Sequence, residues 1–274
     1  MNCFQPFEKI GTPIQQSVLT IIAKDGDKII PVGTGFIISP DGLMMTAKHV
    51  IDFAIKDDTL IKGNYPGELK PSRELYALYL MNETEGGLWP IDYVWDDPDI
   101  DISIMYLKGA IMNGKPKKHQ IVHLSLFPPP AGTAIVGAGY YGMVGELFKG
   151  ESLIQIKQET ASSSGKVVEV FQEKRDMGML PFPCFQTDCK FPGMSGGPVF
   201  RQDNGQVCGV ICSGLPSEEG KDEVSFVSTL WPSMAINLQI DLGDGLQNYP
   251  MLEIAKRGFI KTDDDLLKLN ISKN

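Results

Sequence analysis

Apolar residues fall along this chain in short runs, each about as long as a strand. The main ones are Ser17–Ala23, Gly35–Ser39, Leu43–Thr46, Ile102–Leu107, Ala134–Ala138, Leu153–Ile156, Val167–Phe171, Val207–Cys212 and Val224–Thr229. Turn-forming residues separate them, as at Asp25-Gly26, Pro40-Asp41-Gly42, Pro130-Ala131-Gly132 and Asp203-Asn204-Gly205. Many short strands punctuated by turns predict an all-β barrel or sandwich. Lys115–Lys118 together with Pro128-Pro129-Pro130 is the most linker-like stretch, and it divides the chain into two halves. The pattern changes near the end. Met251–Arg257 and Asp263–Leu269 space their apolar residues as helices do, and Asp263-Asp264-Asp265 ahead of Leu266 resembles a helix start. This tail is expected to pack against the second half.

Composition narrows the class. A chain of 274 residues holds one or two domains. Hydrophobic residues make up 42%, and 29 glycines with 19 prolines fall short of a disordered composition. No run approaches the ~20 apolar residues of a membrane span. The net charge of −9 lacks the general attraction to phosphate backbones that a nucleic-acid binder needs. The first residues, MNCFQPFEKIG, carry no basic leader followed by an apolar stretch, so a cytoplasmic location is expected. In a reducing compartment the five cysteines are expected as free thiols. Cys184 with Cys189, or Cys208 with Cys212, would pair only in an oxidised protein. With no CxxC spacing and three histidines, neither a structural zinc nor another cofactor is expected.

The chemistry concentrates in three places. The first is Phe191-Pro192-Gly193-Met194-Ser195-Gly196-Gly197-Pro198. A nucleophilic serine needs a tight turn that aims its own N–H and that of Gly193 at one spot, where they hold an oxyanion. Glycine suits the flanking positions because side chains there would obstruct substrate. The blander reading is a glycine-rich turn before a strand. Gly193–Gly197 also satisfies GxSxG, the nucleophile elbow of α/β-hydrolases. Those enzymes place histidine after serine, whereas His49, His119 and His123 all precede Ser195.

The second place is Gly33–Ile51, which reads as strand, Pro-Asp-Gly turn, strand, then Thr46-Ala47-Lys48-His49. Histidine is the side chain whose ordinary pKa suits a general base near neutrality. His119 and His123 read better as structural histidines. Their HxxxH spacing would bind metal on a helix, but the residues around them look like a strand. The third place is Asp96–Leu107, where a carboxylate to orient the imidazole is sought. Asp101 immediately precedes the apolar run. Asp99 is its competitor, two residues earlier on the same face, and Asp96, Asp97 and Asp99 read as a solvated acidic loop lacking calcium-loop spacing.

Taken together the three pieces resemble the trypsin-like serine peptidases, closest to the HtrA-type branch. Gly33–Ile51 resembles that family's histidine region. Asp101-Ile102-Ser103-Ile104-Met105 resembles its aspartate strand, and Gln186-Thr187-Asp188 with Pro192–Pro198 its serine region. The resemblance spans residues 14–236 and implies a chymotrypsin-like double β-barrel with a short helical tail. Residues 14–112 would form the barrel carrying histidine and aspartate, 120–236 the barrel carrying serine, and 237–274 the tail. His49 would be the base, Asp101 its orienting partner and Ser195 the nucleophile, with the oxyanion hole made by Gly193 and Ser195. Val210–Gly214 matches the substrate strand, so a protein or peptide substrate would add along Cys212, Ser213 and Gly214. Phe191 would line an apolar specificity pocket; Asp188 would instead favour a basic residue.

Departures from the family matter. Met194 stands where digestive members carry an aspartate that receives a freed amino terminus, so that activation route should be absent. The segment from Asp188 to Gly193 is one residue short. The 38 residues beyond Ile236 are fewer than the ~50 of a small domain, so no PDZ domain is expected. Two alternatives stand beside an active peptidase. One is a latent enzyme switched on by an activating partner or by self-association. The other is a non-catalytic binding module, against which the intact His49, Asp101 and Ser195 argue. Cys212 and Cys189 lie where oxidation would block the site, and buried inert thiols are the blander reading.

Overall fold

The structure is a computed structural model describing residues 4–6, 16–26, 28–54, 61–62, 69–70, 74–80, 86–107, 111–112, 115–116, 118–147, 154–215 and 224–269. Cys3 lies outside them. The chain begins with β1 (Phe4–Pro6), β2 (Val18–Asp25), β3 (Lys28–Ile37), β4 (Leu43–Thr46) and helix α1 (Lys48–Ala54). Two-residue strands β5 (Ile61–Lys62) and β6 (Leu69–Lys70) follow, then β7 (Glu74–Leu80), β8 (Gly86–Asp96) and β9 (Ser103–Leu107). β2-β3-β4-β9-β8-β7 close into an antiparallel barrel. Its interior comes from the inward-facing residues of these strands, among them Ile21, Ile37, Met44, Val94 and Met105, all fully buried. Pro40-Asp41-Gly42 makes the β3–β4 turn. Gly42 has φ +105°, and the Ser39 hydroxyl accepts the Leu43 N–H at 3.0 Å.

A short ladder of β10 (Ile111–Met112) and β11 (Lys115–Pro116) leads to an extended connection. The second half holds β12 (Ala134–Leu147), β13 (Ile154–Phe171), β14 (Cys184–Thr187), β15 (Pro198–Arg201), β16 (Val207–Leu215) and β17 (Val224–Thr229). The order β13-β12-β15-β16-β17-β14, with β14 pairing back to β13, closes a second six-stranded barrel. The expected all-β double barrel is therefore present. β1 pairs with β13, so the first strand of the chain joins the second barrel. Leu153–Ile156, of which Ile154–Ile156 lie among the described residues, and Val167–Phe171 are two strands by sequence; the described parts are the ends of the single 18-residue β13. Alternating polar residues such as Gln158, Thr160 and Ser162 form its middle, which therefore shows no apolar run.

The tail differs from a purely helical one. After a 3-10 turn at Trp231–Ala235, it opens with a hairpin of β18 (Asn237–Asp241) and β19 (Leu246–Pro250). Helix α2 (Met251–Lys256) and a 3-10 turn at Asp264–Lys268 then appear where helical spacing was read. The tail packs on more than the second half. Met251, Ile254 and Ile260 share one buried cluster with Leu43, Met44 and Trp95 of the first barrel, which extends to Val207 and Val210. Apolar residues on α2 thus bridge the tail to both halves. Among the described residues, no helix is long and apolar enough to cross a membrane.

Candidate active site

Strand β4 ends at Thr46, and α1 opens two residues later with Lys48-His49. Val50, Ile51 and Ala54 bury one face of this short helix, and Lys48 reaches Asp52 one turn on at 2.7 Å. Lys48 also lies 3.6 Å from Asp96 at the end of β8. Partial burial works against its charge, but the two carboxylates raise its pKa overall. Burial raises Asp96, partly offset by Lys48. Asp96 is therefore a half-buried brace for the His49 helix rather than part of a solvated loop, a role that no local pattern in the sequence marks. Asp99 is exposed, and its N–H binds the Asp97 carboxylate at 2.8 Å.

Asp101, just ahead of β9, is 8% exposed. Its carboxylate accepts the His49 backbone N–H at 2.9 Å and faces Nδ1 at 3.1 and 2.9 Å. One carboxylate thus fixes both the helix and the ring. With Nδ1 donating, Nε2 is left as the basic nitrogen. The structure pairs Asp101, not Asp99, with His49. The other histidines are elsewhere. His119 is buried with its ring edge-on to Trp89 at 4.8 Å, and His123 is exposed rather than packed.

Ser195 is brought to His49 by the joint between the barrels. The Thr34 N–H on β3 donates to the Ser195 carbonyl at 2.9 Å, and the Thr34 hydroxyl accepts the Tyr140 N–H at 3.1 Å. Thr46 in turn donates to the Thr34 carbonyl at 2.7 Å. Gly196, at φ +82°, passes so close to Thr34 and Thr46 that no side chain fits. In the preceding turn the Met194 N–H donates to the Phe191 carbonyl at 3.2 Å and Gly193 has φ +70°. Proline followed by a positive-φ glycine is the signature of a type II turn. The Gly193 and Ser195 N–H groups donate to no acceptor among the described residues.

His49, Asp101 and Ser195 open on one cleft of about 710 Å³, with Met179, Pro181, Phe182 and Cys212 along its wall. The sequence matches the trypsin-like peptidase domain family over residues 33–210. The chain belongs to the trypsin-like peptidase family. No curated protein matches it. Among solved structures it is similar to the active form of Rv3671c protease from M. tuberculosis at 21% identity and TM-score 0.50, covering 79% of this chain and 77% of that one. It is also similar to the MamO protease domain from Magnetospirillum magneticum (apo form) at 14% identity and TM-score 0.48, covering 79% and 93%. At 21% identity the likeness to Rv3671c protease is one of fold.

Within this trypsin-like peptidase the specificity residues read from sequence need correcting. Phe191 does not line the cleft. Its ring is buried in the second barrel's core against Gly137, where a Cβ would collide with it. Asp188 accepts the Lys166 N–H at 2.7 Å and so secures β13 rather than a pocket. The apolar wall comes instead from the segment before β14, where the Asp176 carboxylate accepts the N–H groups of Gly178, Met179 and Leu180. Those bonds hold its pKa below the usual carboxylate value. Met194 is fully buried in the core cluster of the second barrel, so an apolar side chain fits there.

Cys212 does lie at the cleft. The β16–β17 register shifts between Ile211 and Ser213, so Cys212 occupies a bulge, a device that re-aims a side chain. Its thiol, a His49 ring nitrogen and an Asp101 oxygen lie within 4.8 Å of one another. This is also the set of metal-capable donors found among the described residues, but the imidazole and carboxylate are already bonded to each other. The Ser213 and Gly214 backbone pairs with β17 on one side, while the β15 ladder stops at Val210, and among the described residues no strand pairs with the other edge of Ser213–Gly214. Cys184, Cys189, Cys208 and Cys212 are all buried and form no disulfide with one another. Burial pushes the thiols of Cys184 and Cys189 up to about 11 and that of Cys208 up to about 12.

Proposed function

We propose that the chain is a serine endopeptidase acting through His49, Asp101 and Ser195. The observation that carries this reading is the two-point hydrogen bonding of His49 by Asp101 on the same cleft as Ser195. Ser195 Oγ attacks the carbonyl carbon of a peptide bond while His49 Nε2 takes its proton. The resulting oxyanion sits between the Gly193 and Ser195 N–H groups, whose freedom from acceptors among the described residues suits that task. Collapse breaks the C–N bond, and the amine leaves with the proton from His49. Water, deprotonated by His49, then attacks the acyl group on Ser195, releases the acid and restores the serine.

The substrate is an extended protein segment that adds along Cys212–Gly214 as a further strand. Met179, Pro181 and Phe182 favour an apolar side chain next to it. Cleavage of an unfolded protein is the test: fragments should accumulate with the native chain and not with Ser195→Ala. Fragments from Ser195→Ala at the native rate would overturn the proposal. One observation favours a latent form of the same enzyme. Among the described residues, Ser195 Oγ makes no hydrogen bond to His49. A partner or a second copy that draws the serine loop toward His49 would then raise cleavage; catalytic bonds also commonly tighten when substrate binds.

A further inference from the structure

His49 on α1, Asp101 ahead of β9 and Cys212 in the β16 bulge come from three separate segments, and one donor atom of each lies within 4.8 Å of the others. All three line the cleft of about 710 Å³, so an ion from solvent reaches them. The Asp101 carboxylate divides its work. Oδ1 accepts the His49 backbone N–H at 2.9 Å, and Oδ2 faces His49 Nδ1 at 2.9 Å. The backbone bond keeps the carboxylate aimed, as an outer partner does for a metal ligand, while Oδ2 and Nδ1 converge on one point. The His49 side chain is 44% exposed and has room to turn, whereas Asp101 and Cys212 are buried. A divalent cation held by a thiolate and a carboxylate leaves no net charge on that buried wall.

We infer that His49, Asp101 and Cys212 are a binding site for a zinc ion, which takes the place of the proton held between His49 Nδ1 and Asp101. The donor set selects the metal. Imidazole, thiolate and carboxylate together suit a borderline-soft divalent cation, whereas magnesium and calcium take oxygen ligands. Tetrahedral zinc sets its ligand atoms about 3.4–3.6 Å apart. Nδ1 and Oδ2 therefore open slightly from 2.9 Å, and Sγ moves in by on the order of 1 Å, within reach of side-chain rotation. The fourth position faces the cleft and takes water. On binding, the Cys212 S–H bond breaks and its proton goes to solvent. Zinc bonds to sulfur, nitrogen and oxygen form, the Nδ1 proton moves to Nε2 by exchange with water, and nothing is oxidised or reduced. Nε2 then carries a proton and has no lone pair with which to take one from Ser195. Zinc thus switches the serine off. The switch rests on the peptidase reading; the binding does not.

Cobalt(II), a spectroscopic stand-in for zinc, tests the site on the reduced full chain without any activity. Its titration should give a thiolate-to-cobalt charge-transfer band in the near ultraviolet that saturates at a single equivalent and is abolished by zinc. Cys212→Ser should lose the band, Cys189→Ser should keep it, and His49→Ala should need at least about ten-fold more cobalt. Fluorophosphonate labelling of Ser195 then reads the switch. Zinc should slow native labelling, EDTA should restore it, and magnesium should leave it unchanged. Cys212→Ala, compared with its own metal-free rate, should need at least about ten-fold more zinc for the same slowing. No band in the native chain, a band that survives in Cys212→Ser, or native cobalt affinity in His49→Ala would overturn the site. Zinc that slows Cys212→Ala as readily as the native chain would overturn the switch. A native chain that never labels would sink the peptidase reading alone, and the cobalt titration would still decide the site.

Discussion

Replacing Gly196 with alanine tests how closely the two barrels must approach. Gly196 adopts φ +82°, and a Cβ there would overlap the Thr34 carbonyl oxygen and Thr46 Oγ1 and press on the Ala47 N–H at 3.2 Å. The left-handed backbone alone costs an alanine roughly 1–2 kcal/mol. Relieving the overlap breaks the buried Thr46–Thr34 hydrogen bond, for about 1 kcal/mol more. The total of roughly 2–3 kcal/mol lowers the thermal midpoint by on the order of 8 °C in a chain of this size. Restoring ordinary carbon contacts means moving the serine loop away from the β3–β4 wall by on the order of 1 Å. That wall leads directly into His49, so the displacement separates Ser195 from His49, the base in the proposed mechanism. A misplacement of that size lowers the rate about 10²-fold. Gly205→Ala supplies the control. Gly205 has φ +70°, and a Cβ added there would meet nothing within 4 Å, so it carries only the backbone cost. The assays are thermal unfolding and the rate of Ser195 labelling by a fluorophosphonate. A Gly196→Ala chain that labels at the native rate and melts no lower than Gly205→Ala would refute the reasoning.

Asp101→Asn keeps the shape of the side chain but cannot hold the His49 tautomer, so turnover should fall about 10⁴-fold while thermal stability changes far less. The Asp176 carboxylate has a lowered pKa, so its hold on the Gly178–Leu180 turn is complete above the ordinary carboxylate value and is lost only as pH falls through the depressed one. Limited proteolysis of residues 172–183 should therefore become faster in strong acid for the native chain, and already be fast near neutrality in Asp176→Ala. The raised thiols of Cys184, Cys189 and Cys208 should resist a thiol reagent at pH 8 in the folded chain and react promptly in denaturant. Rapid labelling of all three in the native protein would contradict their burial.

The sequence disclosed the barrels wherever apolar residues alternate against a core, as at Leu43–Thr46 and Ile102–Leu107. It singled out His49, Asp101 and Ser195, which the fold brings to one cleft, because each sits in a short motif near a strand end. What it hid depends on three-dimensional direction. Phe191 lies four residues before Ser195, yet its ring turns inward to fill the space that Gly137 leaves. The β16 bulge that aims Cys212 at His49 and Asp101 arises from pairing with β17, which no local pattern records. The β18–β19 hairpin has exposed residues at Leu246–Asn248 and so lacks a strong apolar alternation. Its turn was nevertheless marked by Asp241-Leu242-Gly243-Asp244-Gly245, where Gly243 and Gly245 have φ +106° and +89° and donate to the Asp241 carboxylate. Lys48 and Asp96 looked like ordinary surface charges, because their meeting beside His49 requires the closed first barrel.

The central claim is that Ser195 is an activated nucleophile. Its most direct measurement is reaction of the folded chain with a fluorophosphonate, with the adduct mapped by peptide mass spectrometry and compared in Ser195→Ala and His49→Ala. The account predicts one adduct, on Ser195, absent from the first variant and strongly slowed in the second. An unlabelled native chain, or labelling that persists unchanged in His49→Ala, would contradict it.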